Sequence, residues 1–164
     1  MAGLFALLRG HPKVAVAALT LSAAGTGALL RDEGNVNRVY LDVGGIPTVC
    51  VGHTATVKHA PVGTKFSGVA CAELLKADTA HAQAGVKAAV RVPVTQQQYD
   101  SLVSFTFNVG NSALADSTLV RKLNAGDCRG AAAEFTRWVL VKGKYSRGLA
   151  NRRARERAAF EEHC

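Results

Sequence analysis

Carboxylates are scarce in this chain. Asp and Glu number 12 against 20 Lys and Arg, a formal net charge of +8 over 164 residues. Residues 1–30 hold none, and only Asp32, Glu33 and Asp42 precede residue 73. Aromatic rings are also few: six Phe, three Tyr and one Trp. No aromatic–basic interleaving of the kind found in RNA-binding sheets occurs, which argues against nucleic acid as partner. There is no C-x-x-C, no H-E-x-x-H and no glycine-rich phosphate loop, so no metal and no cofactor are expected. The absence of G-x-S-x-G weakens a serine hydrolase reading. Apolar residues at 48% and charged residues at 20% exclude intrinsic disorder and suit one packed domain. The positive excess suits an anionic partner such as an acidic lipid or wall polymer.

The one long apolar run lies at the N-terminus. Arg9 and Lys13 precede 17 uncharged residues, 14–30, and Arg31, Asp32 and Glu33 end the run. A basic start before an apolar stretch reads as an export signal. As a span it is marginal, because about 20 mainly apolar residues are needed and Ala, Gly and Thr add little. A buried core helix is the alternative. Three export outcomes are open: a cleaved signal, a permanent anchor, or a weak anchor that later leaves the membrane. The chain therefore divides into a segment of residues 1–30 and a soluble domain of residues 31–164, which carries 18 basic and 12 acidic residues.

The soluble part reads as α+β, mostly helical with one small sheet. β-Branched residues on either side of Gly44 and Gly45 predict a hairpin, with Pro47 keeping its strand short. Helix formers predict a helix over residues 71–89. Thr95 and Gln98 form a capping box that starts the next helix, ended near Gly110. Two further helices follow, the first stopped by Gly126 and the second capped by Asp127. A loop is expected at Gly143 and Gly148, then a basic last helix over residues 149–162.

Glycoside hydrolysis needs two carboxyl groups, one protonated to assist the leaving oxygen and one ionised to orient water. Glu33 ends the apolar run, where desolvation would raise its pKa. Asp42 sits at a glycine-rich turn that favours the ionised form. Thr48 follows on the next strand and offers a hydroxyl for the water. Alone, two acids nine positions apart are as consistent with a solvated helix end and a turn Asp.

The surrounding residues carry more. Glu33-Gly34, eight residues between Glu33 and Asp42, five between Asp42 and Thr48, and Thr48 to Thr54 as TVCVGHT form one block. SFTFNVG at 104–110, STLVRKLNAGD at 117–127, and Trp138 with GLANRR at 148–153 follow in order. This arrangement resembles the phage-type lysozymes related to the lysozyme of T-even phages, and the weak apolar N-terminus resembles their signal-anchor-release members. The resemblance implies a lysozyme-like fold and an N-acetylmuramidase that inverts at the β-1,4 link of peptidoglycan. Glu33 would be the general acid, and Asp42 with Thr48 would hold the water. Phe107 and Asn108 would line the glycan cleft. His53 would pair with Asp78 structurally, and Arg152 or Arg153 would pair with Glu33. Competing readings are a lytic transglycosylase, which needs one acid and no water, and a membrane-anchored wall-binding protein without turnover.

Export would place the cysteines in an oxidising compartment. Cys50, Cys71, Cys128 and Cys164 permit three pairings. Cys50–Cys71 and Cys128–Cys164 are the expected bonds, with free buried thiols as the alternative. Cys50 also lies two residues from Thr48, close enough for a redox lock. Residues 1–30 hold no cysteine, so activation by disulfide exchange within the anchor is not expected. Control would instead be topological: residues 14–30 hold Glu33 against the inner membrane, then leave it and pack on the domain. The enzyme would be a monomer, made in the host cytoplasm and released to the periplasm.

Overall fold

The computed structural model describes residues 12–34, 36–41, 45–54 and 56–164. Asp42 lies outside the described residues.

A short antiparallel hairpin is formed by β1 (Val36–Leu41) and β2 (Pro47–Cys50). Tyr40 stands opposite Thr48 and Leu41 opposite Pro47. Pro47 opens its strand, where a missing N–H costs least. Val39, Val49, Cys50, Val57 and Cys71 close a small core beneath this hairpin. The Cys50–Cys71 disulfide ties it to α2 (Gly68–Asp78). Cys50 adopts φ of +56°, a left-handed backbone that a non-glycine residue holds at some cost.

The helix expected over residues 71–89 is two helices. Thr79 separates α2 from α3 (Ala80–Ala89), and its hydroxyl donates to the Lys76 carbonyl at 2.9 Å. That local bond competes with the helical ladder. Gly85 within α3 has a packing reason. A Cβ there would stand 2.3 Å from Asn111 Oδ1 of α5 (Asn111–Ala115), whose amide donates to the His81 carbonyl at 3.1 Å.

The larger core is built on α4 (Gln96–Val109). Its Thr95–Gln98 capping box is present as expected. Tyr99, Leu102, Val103 and Phe105 are fully buried. On it packs α8 (Arg147–Glu161), while α6 (Thr118–Asn124) packs with α7 (Cys128–Glu134), which is capped by Asp127 and rests on α8. Phe105 meets Phe135 and Trp138 edge-on, with centroids 5.3 Å apart in each pair. The second disulfide, Cys128–Cys164, fastens the chain end to α7. The loop expected at Gly143 and Gly148 contains a further hairpin, β3 (Leu140–Val141) and β4 (Lys144–Tyr145), and Gly148 lies in the first turn of α8 rather than in the loop. Lys142 and Gly143 turn it with positive φ.

The apolar run does not make one helix. Val14 bridges Val94, residues Val16–Ala18 form a 3-10 turn, and α1 begins only at Ala23 and ends at Glu33. The break has a polar cause. Ser22 caps α1, and its N–H donates to Asp100 Oδ1 at 3.1 Å while its hydroxyl donates to the same carboxylate. Leu21 N–H donates to Gln83 Oε1 at 3.0 Å, and Gln96 donates to the Thr20 carbonyl at 2.8 Å. Val16, Leu19, Leu21 and Leu29 meanwhile join the larger core. Among the described residues no helix is long and apolar enough to cross a membrane.

Candidate active site

Glu33 is the last residue of α1. Gly34 follows with φ of +73°, a left-handed exit that releases the chain toward β1. The Glu33 side chain is 26% exposed and lies against Arg152, whose Nη1 donates to Oε1. The sequence reading placed this carboxyl in a desolvated apolar setting; here its immediate neighbour is a guanidinium. Of the two arginines offered as partners, Arg152 is the one that reaches it. The adjacent Asp32 pairs with Arg155, so consecutive acids at the end of α1 meet positions three apart on α8.

Thr48 lies on β2 and is buried, with its hydroxyl donating to the Ile46 carbonyl at 2.9 Å. The chain from Leu41 to Pro47, which includes Asp42, connects the two strands. Asn108 is exposed at the end of α4, and its Oδ1 accepts from Arg153 Nη2 at 3.1 Å. Phe107 is half-buried against the larger core. Structure therefore joins Glu33 and Asn108 through neighbouring arginines of α8. His53 stands apart in the small lobe. Its Nδ1 donates to Asp78 Oδ2 at 2.8 Å, and its Nε2 accepts from the Thr56 hydroxyl at 2.9 Å. The expected pair of His53 and Asp78 is present, with both ring nitrogens engaged.

Behind Glu33 a buried polar group carries the arginines. Glu156 Oε1 accepts from Ser104 Oγ at 2.6 Å and from Arg152 Nε at 3.1 Å. Its Oε2 stands 2.8 Å from Arg153 Nε. Arg152 also donates to the Ser104 carbonyl at 3.0 Å, and Arg153 lies over the Phe105 ring at 5.0 Å. Arg153 is fully enclosed and Glu156 is 5% exposed. Burial pushes the Glu156 carboxyl up and the Arg153 guanidinium down, and their mutual attraction opposes both shifts. Neither Ser104 nor Glu156 stood out as a site residue in the sequence. The signal available was Arg-Arg-x-x-Glu, which sets one acid at i+4 and i+3 from two arginines on a helix.

A cavity of about 190 Å³ lies between α1, α4 and α8, lined by Ala24, Ala28, Asp32, Asp100, Arg155 and Ala159 among others. None of the expected catalytic residues borders it. Among the described residues no group of His, Cys, Asp and Glu could hold a metal ion.

The chain is similar to several known proteins. The SAR-endolysin of Escherichia phage Mu is 38% identical over 156 residues, covering 90% of each chain. A solved variant of P22 lysozyme superposes with a TM-score of 0.81 at 39% identity, covering 87% of this chain and 99% of that one. The muramidase domain of SpmX from Asticaccaulis excentricus superposes with a TM-score of 0.75 at 30% identity, covering 86% and 97%. Residues 31–156 match the phage lysozyme family, and the chain belongs to it.

Proposed function

We propose that this protein is an endolysin that hydrolyses the β-1,4 bond between N-acetylmuramic acid and N-acetylglucosamine in bacterial peptidoglycan, lysing the host cell. The observation that carries the reading is Glu33 at the end of α1, held by buried Arg152 and followed at once by the hairpin that bears Thr48. Glu33 gives its proton to the departing glycosidic oxygen. Asp42, aided by Thr48, takes a proton from water as that water attacks the anomeric carbon from the opposite face. The product is inverted, which suits carboxyl groups roughly 6.5–9.5 Å apart. Asn108 and Phe107 contact the glycan. Each acid–base group contributes about 10²–10⁴-fold.

Digestion of purified peptidoglycan, with mass spectrometry of the new ends, tests this. Reducing muramic ends are expected, lost in Glu33→Gln and in Asp42→Asn while both variants stay folded. Anhydro ends formed equally by wild type and Asp42→Asn would instead establish a transglycosylase. A fully active Glu33→Gln protein would refute the role of Glu33.

Residues 14–30 serve, on the same reading, as a weak inner-membrane anchor that leaves the bilayer and docks on a monomeric domain in the periplasm. Support comes from the polar groups that receive the segment. Asp100, Gln96 and Gln83 satisfy the backbone of residues 20–22, which lie outside α1. Gly27 has open space around it, whereas a Cβ on Gly25 would stand 2.7 Å from Asp100 Cγ. Gly27→Leu therefore raises hydrophobicity without blocking docking. It should keep the protein in the membrane fraction and delay lysis; normal release would end the anchor model.

A further inference from the structure

Two guanidiniums enter the interior side by side on α8, and one buried carboxylate faces both. Arg152 is 4% exposed and Arg153 is fully buried. Arg152 reaches out to Glu33 and Arg153 to Asn108. Arg152 is thus a strut, with Nη1 on Glu33 and Nε on Glu156, while Arg153 Nη2 donates both to Asn108 Oδ1 and, at 3.2 Å, to Glu156 Oε1. We propose that Glu156 is a positioning residue for the glycosidase: one carboxylate sets the rotamers of both arginines, and so fixes Glu33 relative to the glycan-contacting Asn108. The proposal rests on the reading of Glu33 as the general acid.

The geometry supports an indirect role. Glu156 touches neither the mouth of the site nor Glu33; its bonds run to Ser104, Arg152 and Arg153. Ser104 holds Oε1 from α4, one turn before Asn108, so α4 and α8 are tied at the same carboxylate. Arg152 is further held by the Ser104 carbonyl. An arginine has several rotatable bonds, and its rotamer is held by the acceptors and the opposite charge around it. Without the Glu156 charge and its second oxygen, the two arginines share one neutral acceptor and are held less firmly. Arg152 can then turn from Glu33, and Arg153 from Asn108. Displacing a reacting group by about 1 Å costs on the order of 10²-fold in rate.

The test uses soluble glycan strands from peptidoglycan and the full-length protein. Glu156→Gln keeps the shape of the side chain and one acceptor oxygen but removes the charge. At a temperature where circular dichroism shows it folded, kcat is expected to fall about 10–100-fold, with KM raised. The decisive comparison is made in an Arg152→Met background, where Glu156→Gln should lower kcat less than about threefold, because the link from Glu156 to the general acid is gone and only that to Asn108 remains. Equal losses in both backgrounds, or wild-type kcat in folded Glu156→Gln, would overturn the proposal. If Glu156→Gln does not fold, Ser104→Ala decides: it removes one donor to Oε1, and its kcat should fall several-fold; an unchanged kcat refutes the coupling. Glu33→Gln is run beside these. Full activity there refutes the acid assignment itself. Loss of activity there, together with a normal Glu156→Gln protein, refutes only the positioning role.

Discussion

Tyr99 is sealed within the larger core, and its hydroxyl donates to Gln83 Oε1 at 3.3 Å. Burial, and then the neighbouring Asp100 carboxylate, push its phenol up to about 12. The unfolded chain loses that proton near pH 10. Between about pH 10 and 12 the native state therefore binds more protons than the unfolded one, and stability falls as pH rises. Thermal melts across this range should show a decline that Tyr99→Phe reduces, and phenolate absorbance should show a tyrosine titrating near 12 in the folded protein. His53 poses a different residue-scale test. His53→Ala would strip the partner from Asp78 and from Thr56. A loss of about 2–4 kcal/mol is expected by denaturant unfolding, with the products of peptidoglycan cleavage unchanged. An unaltered melt would contradict the structural role.

At the scale of elements, the crossing of α1 over α4 depends on one missing side chain. A Cβ on Gly25 would stand 2.7 Å from both Asp100 Cγ and Leu21 Cδ1. Asp100 is already committed to Ser22 and Gln96, so it has little freedom to move. Gly27, two positions on, meets nothing within 4 Å. Gly25→Ala should therefore lower the melting temperature. Gly27→Ala should leave it unchanged or raise stability by about 0.5–1 kcal/mol through helix propensity. Equal effects at the two positions would show that α1 does not dock in this way. The hairpin was legible because β-branched residues flank a glycine pair. The Thr95–Gln98 capping box was legible because its donors and acceptors lie three residues apart. α5 and the β3–β4 hairpin were not, since five residues and two-residue strands carry too little periodicity to register.

At the scale of the whole molecule, two disulfides staple lobes that have separate cores. Cys50–Cys71 spans 21 positions and Cys128–Cys164 spans 36. Loop-closure entropy gives each about 3–4 kcal/mol. Replacing Cys128 and Cys164 together by Ser should cost about that much in denaturant unfolding, while leaving the small lobe and its Cys50–Cys71 bond intact. Loss of that bond as well would mean the lobes do not hold independently.

Local chemistry in the sequence determined where helices start, where the hairpin turns, and that Glu33 ends a helix just before it. Those features rest on residues a few positions apart, whose hydrogen bonds and spacing act before any tertiary contact. Spacing along a resembling family also paired His53 with Asp78. Tertiary structure alone decided the rest. Glu33 meets Arg152 across 119 positions, and Ser22 meets Asp100 across 78. No local rule can choose between adjacent arginines on a helix; the 100° between successive side chains and the packing of α8 on α4 made that choice. The same packing turned an apolar run that could have been one helix into a turn, a latch and a shorter helix, because the half-buried Asp100 carboxylate on α4 offered its backbone better partners than the next helical turn.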